Sequence, residues 1–164
     1  MLMLFISLGV TILDQLTKYL VVRNIAFGET ITIIPCLLNL TFIRNTGAAW
    51  GMLSGFSNML IVLSFVMLIV LIVFRRHLIE DRVVHKVSLA LIIAGIIGNL
   101  IDRIRLGYVV DFIDFYWHPT NSHFPSFNVA DSAICIGVFL YILTTTKSSS
   151  SNEETVLAEA EAAG

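Results

Sequence analysis

Charged residues are scarce in this sequence, and their scarcity excludes whole classes of protein. Only 13% of the 164 residues are Asp, Glu, Lys or Arg, and the formal net charge is −2. A protein that binds nucleic acid through its phosphates needs a basic surface, and ten Lys and Arg residues in a nearly balanced chain do not provide one. We therefore predict no nucleic-acid partner.

Cysteine and the usual signatures of metal, nucleotide and serine-hydrolase sites are also lacking. Two cysteines cannot form a disulfide framework, so we predict Cys36 as a free thiol in an external loop and Cys135 as a small buried hydrophobe. His118 and His123 flank a proline without a further Cys or His at a recognisable spacing. No Gly-x-Ser-x-Gly elbow and no phosphate-binding glycine loop is present. These absences predict neither metal nor cofactor.

Apolar residues make up 57% of the chain, and the mean hydropathy is +0.88. Such a composition is typical of a protein that crosses a membrane several times, at about 20 helical residues per crossing. Four segments are long and apolar enough, or nearly so: 2–22, 58–74, 87–106 and 129–146. We predict an all-α transmembrane four-helix bundle that forms one domain over residues 1–146. The remainder, 147–164, is predicted to be a polar cytoplasmic tail, disordered or a frayed helix.

One external segment departs from the helical pattern. Within 23–56, the runs Thr30–Ile33 and Leu38–Phe42 alternate polar and apolar residues with the period of two that a half-buried strand shows. We therefore predict a small β-rich segment between the first and second helices.

The distribution of Lys and Arg predicts how the chain is oriented. The link 75–86 has four basic residues, whereas the segment 107–128 has none. By the positive-inside rule, both termini and the 75–86 link are cytoplasmic. Arg103 and Arg105 lie at the outer end of the third span and oppose this rule, so we interpret them as site or interface residues.

Isolated polar residues gather at the outer ends of the predicted spans. Asp111 and Asp131 bound one short external loop, and a carboxylate at a membrane boundary is costly unless something satisfies it. This one-sided clustering favours a site that opens outward, over a proton relay, which needs charges at several depths. The cluster also includes Asp14, Asn45, Asn99, Arg103 and Asn128.

Each of these residues also has a purely structural interpretation, which the sequence leaves open. Asp14 and Lys18 are spaced i,i+4 and can neutralise each other on one helix face. Asn128 suits a helix N-cap, with Asp131 at the third helical position complementing the helix dipole. Arg103 can extend to the lipid headgroups. We predict Asp114 as a solvated or interface carboxylate.

Five motifs together resemble the signal peptidase II family, the bacterial inner-membrane aspartyl proteases that process prolipoproteins. They occur from the first span to the last in the order of that family, which makes the combination specific. The matching runs are Asp14-Gln-Leu-Thr-Lys18, Asn45-Thr-Gly-Ala-Ala-Trp-Gly51, Gly98-Asn-Leu-Ile-Asp-Arg103, Val109-Val-Asp-Phe112 and Phe127-Asn-Val-Ala-Asp131. The tail after about Lys147 matches nothing in the family.

The resemblance implies a role for each matching polar position. Asp111 and Asp131 correspond to the catalytic aspartates of the family. The other matching positions imply site-shaping residues, or residues that contact substrate or cyclic peptide inhibitors of the globomycin type; they are Asp14, Lys18, Asn45, Gly47, Asn99, Arg103, Asn128 and Ala130.

The resemblance also implies a substrate and a location. The substrate is a prolipoprotein whose Cys already bears diacylglycerol, and cleavage falls just before that Cys. The enzyme lies in the bacterial cytoplasmic membrane among lipids, with its site near the outer face.

Two adjacent carboxyls resist joint ionisation, so we expect the pair to hold one proton near neutral pH. The rival to an enzyme is a non-catalytic lipoprotein-binding module, which would bind the same substrate without cleaving it.

Overall fold

The computed structural model describes residues 1–48, 52–78, 83–117 and 122–162. Within these ranges it contains four helices and four strands. The helices are α1 (Leu2–Asn24), α2 (Ser57–Leu78), α3 (Val83–Leu106) and α4 (Val129–Ala162). The strands are β1 (Thr30–Ile34), β2 (Leu38–Asn45), β3 (Val109–Trp117) and β4 (Ser122–His123).

Three of these helices are long and apolar enough to cross a membrane, namely Leu2–Asn24, Ser57–Arg76 and Val83–Leu106. The predictions at 2–22, 58–74 and 87–106 are thereby confirmed as apolar helices. The apolar part of α4, Val129–Thr145, is shorter, and the helix continues past position 146 into the segment predicted as a polar tail. Helix α3 contacts each of the other three helices and is therefore the central one.

The four strands form one antiparallel sheet in the order β1-β2-β3-β4. The two strands predicted between α1 and α2 are confirmed. The sheet extends beyond the predicted segment, because β3 and β4 come from the link between α3 and α4. Apart from Asp111 and Asp114, the run that forms β3 is apolar and rich in β-branched and aromatic residues, and its first four residues are all buried, as in a strand covered on both faces.

A small apolar core joins the sheet to the outer end of α1. Val21 of α1 and Ile25, which directly follows the helix, pack with Phe42 of β2 and with Val110 and Phe112 of β3. Burying a large apolar side chain stabilises a fold by about 1.5–3 kcal/mol relative to exposing it. This core therefore holds β3, and with it Asp111, against the helices.

Two glycines bring the helices close together beneath the sheet. A Cβ on Gly95 of α3 would overlap the backbone oxygen of Ala130 in the first turn of α4. A Cβ on Gly98 would lie 2.5 Å from Oδ2 of Asp14 in α1. Both glycines therefore allow α3 to pack closely against its neighbours.

Candidate active site

The two aspartates bounding the external loop are brought together by one asparagine. Asn128 Nδ2 donates to Asp111 Oδ1 at 2.7 Å, and Asn128 Oδ1 accepts from the backbone N–H of Asp131 at 2.9 Å. The second contact caps α4, and Asp131 Oδ2 accepts in return from the Asn128 backbone N–H at 3.2 Å. The predicted N-cap is confirmed, and the capping residue also contacts the other carboxyl group.

A second asparagine holds the remaining oxygen of Asp131. Asn99 Nδ2 donates to Asp131 Oδ1 at 2.7 Å, while Asn99 Oδ1 accepts from Lys18 Nζ at 3.0 Å. Because an ammonium group can only donate, the oxygen of the Asn99 amide must face Lys18 and its NH₂ must face Asp131. Lys18 therefore fixes which way this amide points.

Lys18 is the centre of a buried charged group that we name the Lys18 cluster: Asp14, Gln15, Lys18 and Asp102. Lys18 Nζ lies 2.9 Å from Asp14 Oδ2 and 3.0 Å from Asp102 Oδ2, and Asn99 takes its third hydrogen. Gln15 Nε2 donates to Asp14 and Asp102, at 3.2 and 3.0 Å. All three charged residues are at most 3% exposed. The predicted i,i+4 pair of Asp14 and Lys18 is confirmed, and a third charged residue joins it.

The cluster also contacts the backbone next to each aspartate of the pair. Asp14 Oδ1 accepts from the N–H of Ala130, at 2.8 Å. Asp102 Oδ2 accepts from the N–H of Val110, at 3.1 Å. Ala130 and Val110 immediately precede Asp131 and Asp111, so one buried cluster sets the position of both carboxyls.

The outer loop after β2 covers the other side of Asp111. Asn45 Nδ2 donates to Asp111 Oδ2 at 2.9 Å, and Asn45 Oδ1 accepts from the Gly47 N–H at 2.9 Å. Arg103 Nη2 donates to the Gly47 carbonyl at 2.9 Å. Arg103 therefore contacts the site rather than extending to headgroups alone. Its Nε is buried and has no acceptor among the described residues.

The surroundings of Asp111 disfavour its ionised form. The residue is 2% exposed, and the pKa of its carboxyl is raised from 3.8 to about 7. Burial is the main cause of the rise and the nearby charge of Asp131 is the second, while hydrogen bonds from Asn45 and Asn128 and the charge of Lys18 oppose it. A carboxyl with such a pKa can gain or lose a proton at neutral pH, as general acid–base chemistry requires.

The structure brings every candidate site residue into one region. Each of the ten takes part in the contacts above, directly or through its backbone, and the side chains come from α1, β2, α3, β3 and α4. Residues 49–51 of the Asn45–Gly51 run lie outside the described residues.

Beside Asp111 is an open cavity of about 250 Å³, lined in part by Asn45, Pro125 and Ser126. Within the described ranges, no group of three or more His, Cys, Asp or Glu is placed to hold a metal ion.

Sequence reasoning missed two members of the Lys18 cluster. Neither Gln15 nor Asp102 is among the predicted site residues. Both lie inside matching motifs, and Gln15 directly follows Asp14, so the motifs themselves contained the signal. What sequence could not show is that α1 and α3 lie side by side and bring these residues together.

Two expectations about individual residues need correction. Asp114, predicted as a solvated or interface carboxylate, is not solvated, because it is 5% exposed and accepts a hydrogen bond from Asn39 Nδ2 at 3.0 Å. Cys135, predicted to be buried, is exposed on α4. The reason for the second error is general, because an apolar helix in a membrane protein turns hydrophobic residues toward lipid as well as toward the core.

Comparison with known proteins agrees with the geometry. The family model described as signal peptidase II matches residues 6–147. A lipoprotein signal peptidase of Geobacter sulfurreducens is 47% identical over 138 residues, covering 82% of this chain and 85% of its own. One from Staphylococcus aureus strain bovine RF122 is 40% identical over 154 residues, covering 92% and 91%. A bacterial membrane enzyme solved by the in meso method at 2.3 Å is similar with a TM-score of 0.84, at 39% identity, covering 91% of this chain and 90% of its own.

Proposed function

The chain belongs to the signal peptidase II family, and we propose that it is an aspartic endopeptidase that cleaves diacylglyceryl-modified prolipoproteins just before the modified Cys. Family membership supports a protease that removes signal peptides from prolipoproteins. The observation that most supports the aspartic mechanism is the arrangement of Asp111 and Asp131. Asn128 donates to both carboxyls, from its side chain to Asp111 and from its backbone N–H to Asp131, and burial together with the charge of Asp131 raises the pKa of Asp111 to about 7.

In the proposed mechanism the pair holds one proton. The ionised carboxylate removes a proton from a water molecule, which attacks the carbonyl carbon of the scissile peptide bond. The protonated carboxyl donates a hydrogen bond to the carbonyl oxygen and so stabilises the negative charge that develops there. Collapse of the tetrahedral intermediate breaks the C–N bond, and the leaving amine takes a proton from the pair. The proton belongs to the pair, so neither aspartate is assigned one fixed role.

The Lys18 cluster positions the pair. Asp14 and Asp102 hold the backbone before Asp131 and Asp111, and Lys18 orients the Asn99 amide that donates to Asp131. These contacts are made before any substrate binds, so the reacting groups need little reorganisation during the reaction. The Nε donor of Arg103 has no acceptor within the described ranges, and a carbonyl of the bound substrate is a suitable acceptor for it.

The proposed substrate fits a site at the outer boundary of a membrane. We place four spans in a bundle, with both termini on the cytoplasmic side and the carboxyl pair near the outer face of the bacterial cytoplasmic membrane. The signal segment and the diacylglyceryl group then lie in lipid, and the mature chain leads outward past the sheet. Inhibitors of the globomycin type, which the family resemblance implies, would occupy the cavity beside Asp111.

The sheet limits how an extended substrate can lie. Addition of the peptide to a sheet edge is one mode of recognition, but β3, which contains Asp111, is paired with β2 on one side and with β4 and Phe127 on the other. We therefore propose that the peptide crosses a face of the sheet to reach the carboxyl pair.

Purified protein in detergent provides the test of this function. It is incubated with a precursor that bears diacylglycerol on its Cys and, separately, with the same precursor unmodified. Mass spectrometry should show cleavage directly before the Cys for the modified precursor, with a strong preference over the unmodified one. A preparation of Asp131→Asn, purified identically, controls for contaminating proteases. Binding of the modified precursor without cleavage by the wild type would instead favour the non-catalytic binding module.

A further inference from the structure

A second cavity adjoins the one beside Asp111. Its volume is about 430 Å³, within the range of small-ligand sites, and its lining includes Thr30, Thr41, Asp114 and His123. The two cavities share Ile43, Pro125 and Ser126 as lining residues. A peptide that reaches the carboxyl pair can therefore continue directly from the first cavity into the second.

A paired aspartate and histidine form one wall of this cavity. Asp114 is 5% exposed, and its Oδ1 lies 2.9 Å from His123 Nδ1. The carboxylate accepts, so Nδ1 holds the ring hydrogen and Nε2 of the neutral ring is left as an acceptor. The His123 ring packs against Tyr116 at a centroid distance of 4.9 Å, while its side chain remains 56% exposed. Among the described residues no hydrogen bond to its Nε2 is found, so this nitrogen is available to a ligand.

The hydroxyl groups of the cavity, like Nε2 of His123, offer hydrogen-bond acceptors rather than donors. Thr41 Oγ1 donates to the Glu29 carbonyl at 2.9 Å, and Thr30 Oγ1 donates to Thr41 Oγ1 at 3.4 Å. The hydrogens of both hydroxyls, like that of His123, are therefore used within the protein. These groups offer lone pairs to the cavity, and the buried carboxylate of Asp114 adds negative charge. Such a lining favours a ligand that donates hydrogen bonds and disfavours an anion.

We propose that this cavity is a subsite for the first residues of the mature segment, and that it selects side chains that donate hydrogen bonds, lysine above all, over glutamate. This inference rests on the proposed function. The signal segment is an apolar membrane helix and belongs among the helices, whereas the mature segment leads outward along the polar sheet. The volume accommodates more than one residue, so the selected position lies among the first few residues after the modified Cys.

The proposal is tested with a set of diacylglyceryl precursors. They differ only in having Lys, Ala or Glu at the second, third or fourth position after the Cys. The kcat/KM of the wild type should be about three- to tenfold higher for Lys than for Glu at one of these positions, as one hydrogen bond provides. His123→Phe keeps the ring packing against Tyr116 but removes both nitrogens, and it should abolish most of that preference. Ser122→Ala, on the same strand and outside the cavity lining, is the matched control and should keep it.

If His123→Phe does not fold, Thr30→Val is tested in its place. This substitution exchanges an exposed hydroxyl for a methyl group and should reduce the preference for Lys over Glu about twofold. Equal rates for all precursors with the wild type would overturn the subsite, as would an unchanged preference in the variant that folds. Failure of the proposed function is a different result, in which the wild type cleaves none of the precursors.

Discussion

At the scale of single residues, Asn128 links the fold to the candidate chemistry. One side-chain atom caps α4 at Asp131 and another donates to Asp111, while the whole residue is fully buried. Asn99 likewise uses both ends of its amide, because its oxygen accepts from Lys18 and its NH₂ donates to Asp131. Neutral amides suit this place because each offers one donor and one acceptor without adding charge beside two carboxyls.

Two substitutions at Asn128 separate its two roles. Asn128→Ala removes both contacts and should lower stability by about 1 kcal/mol for the lost cap alone. Asn128→Ser restores a capping oxygen but is too short to reach Asp111, so it should recover much of the thermal stability while activity stays at least about tenfold reduced. Melting temperature and kcat of both variants provide the check. Recovery of full activity in Asn128→Ser would show that the contact with Asp111 is dispensable.

The raised pKa of Asp111 makes stability depend on pH in a defined direction. Below about pH 4 the carboxyl is protonated in both the folded and the unfolded chain. Between about pH 4 and 7 only the unfolded chain ionises, so the stability that this group contributes falls as pH rises through that window and is constant above it. A shift from 3.8 to about 7 corresponds to about 4 kcal/mol at most.

Comparison with Asp111→Asn isolates this effect from the other titrating groups. Melting temperatures of both proteins are measured from pH 4 to 9 at one scan rate. The melting temperature of Asp111→Asn minus that of the wild type should increase between about pH 4 and 7 and then stay constant, whatever its value at pH 4. A difference that stays constant across the whole range would mean that Asp111 titrates normally.

At the scale of elements, the site depends on how closely α3 packs against α1 and α4. Gly95 and Gly98 allow that approach, and it places Asp102 of α3 beside Lys18 of α1. The same approach brings the first turn of α4 within hydrogen-bonding distance of Asp14. Helix packing and the position of the carboxyl pair are therefore coupled.

Gly95→Ala tests that coupling. The added methyl group would meet the backbone oxygen of Ala130, which cannot move without shifting Asp131. Overpacking of this kind costs about 1–3 kcal/mol, and we expect kcat to fall together with the melting temperature. Gly9→Ala is the matched control, because a Cβ there meets nothing within 4 Å and the helix gains propensity. Equal activity of the two variants would contradict the coupling.

The elements also show where prediction from sequence succeeds and where it stops. Long apolar runs predicted the helices, and period-two alternation predicted β1 and β2. The strand that contains Asp111 was read as a loop, because a strand buried on both faces lacks alternation and its apolar run is short. The burial of Asp114 was missed for a related reason, since its partners Asn39 and His123 lie on the neighbouring strands β2 and β4 and only the sheet brings them together.

At the scale of the whole molecule, apolar side chains cover the helices while the polar contacts gather at one end. Leu4, Val62 and Val73 are each more than 60% exposed, and only 6% of the apolar window of α2 is buried in the protein. Such a surface is stable only in contact with lipid, where these side chains need no other partner. Lipid therefore completes the apolar environment that the protein core provides in a water-soluble enzyme.

The proposed orientation makes a prediction about the two cysteines. Cys36 is exposed in the turn between β1 and β2, which we place outside the membrane, whereas Cys135 lies on α4 within the apolar segment. A membrane-impermeant maleimide added to intact spheroplasts should label the wild type, and Cys36→Ser should remove nearly all of that label. Labelling of Cys36 only after the membrane is opened would reverse the proposed topology.

The central claim is that Asp111 and Asp131 act as one catalytic pair, and the most direct measurement compares Asp111→Asn and Asp131→Asn with the wild type on one diacylglyceryl precursor. Both variants should bind the precursor with an affinity within a few fold of the wild type, while kcat falls by at least about a thousandfold in each, as expected when one member of a catalytic unit is removed. Cleavage by either variant at a rate within tenfold of the wild type would contradict the paired mechanism.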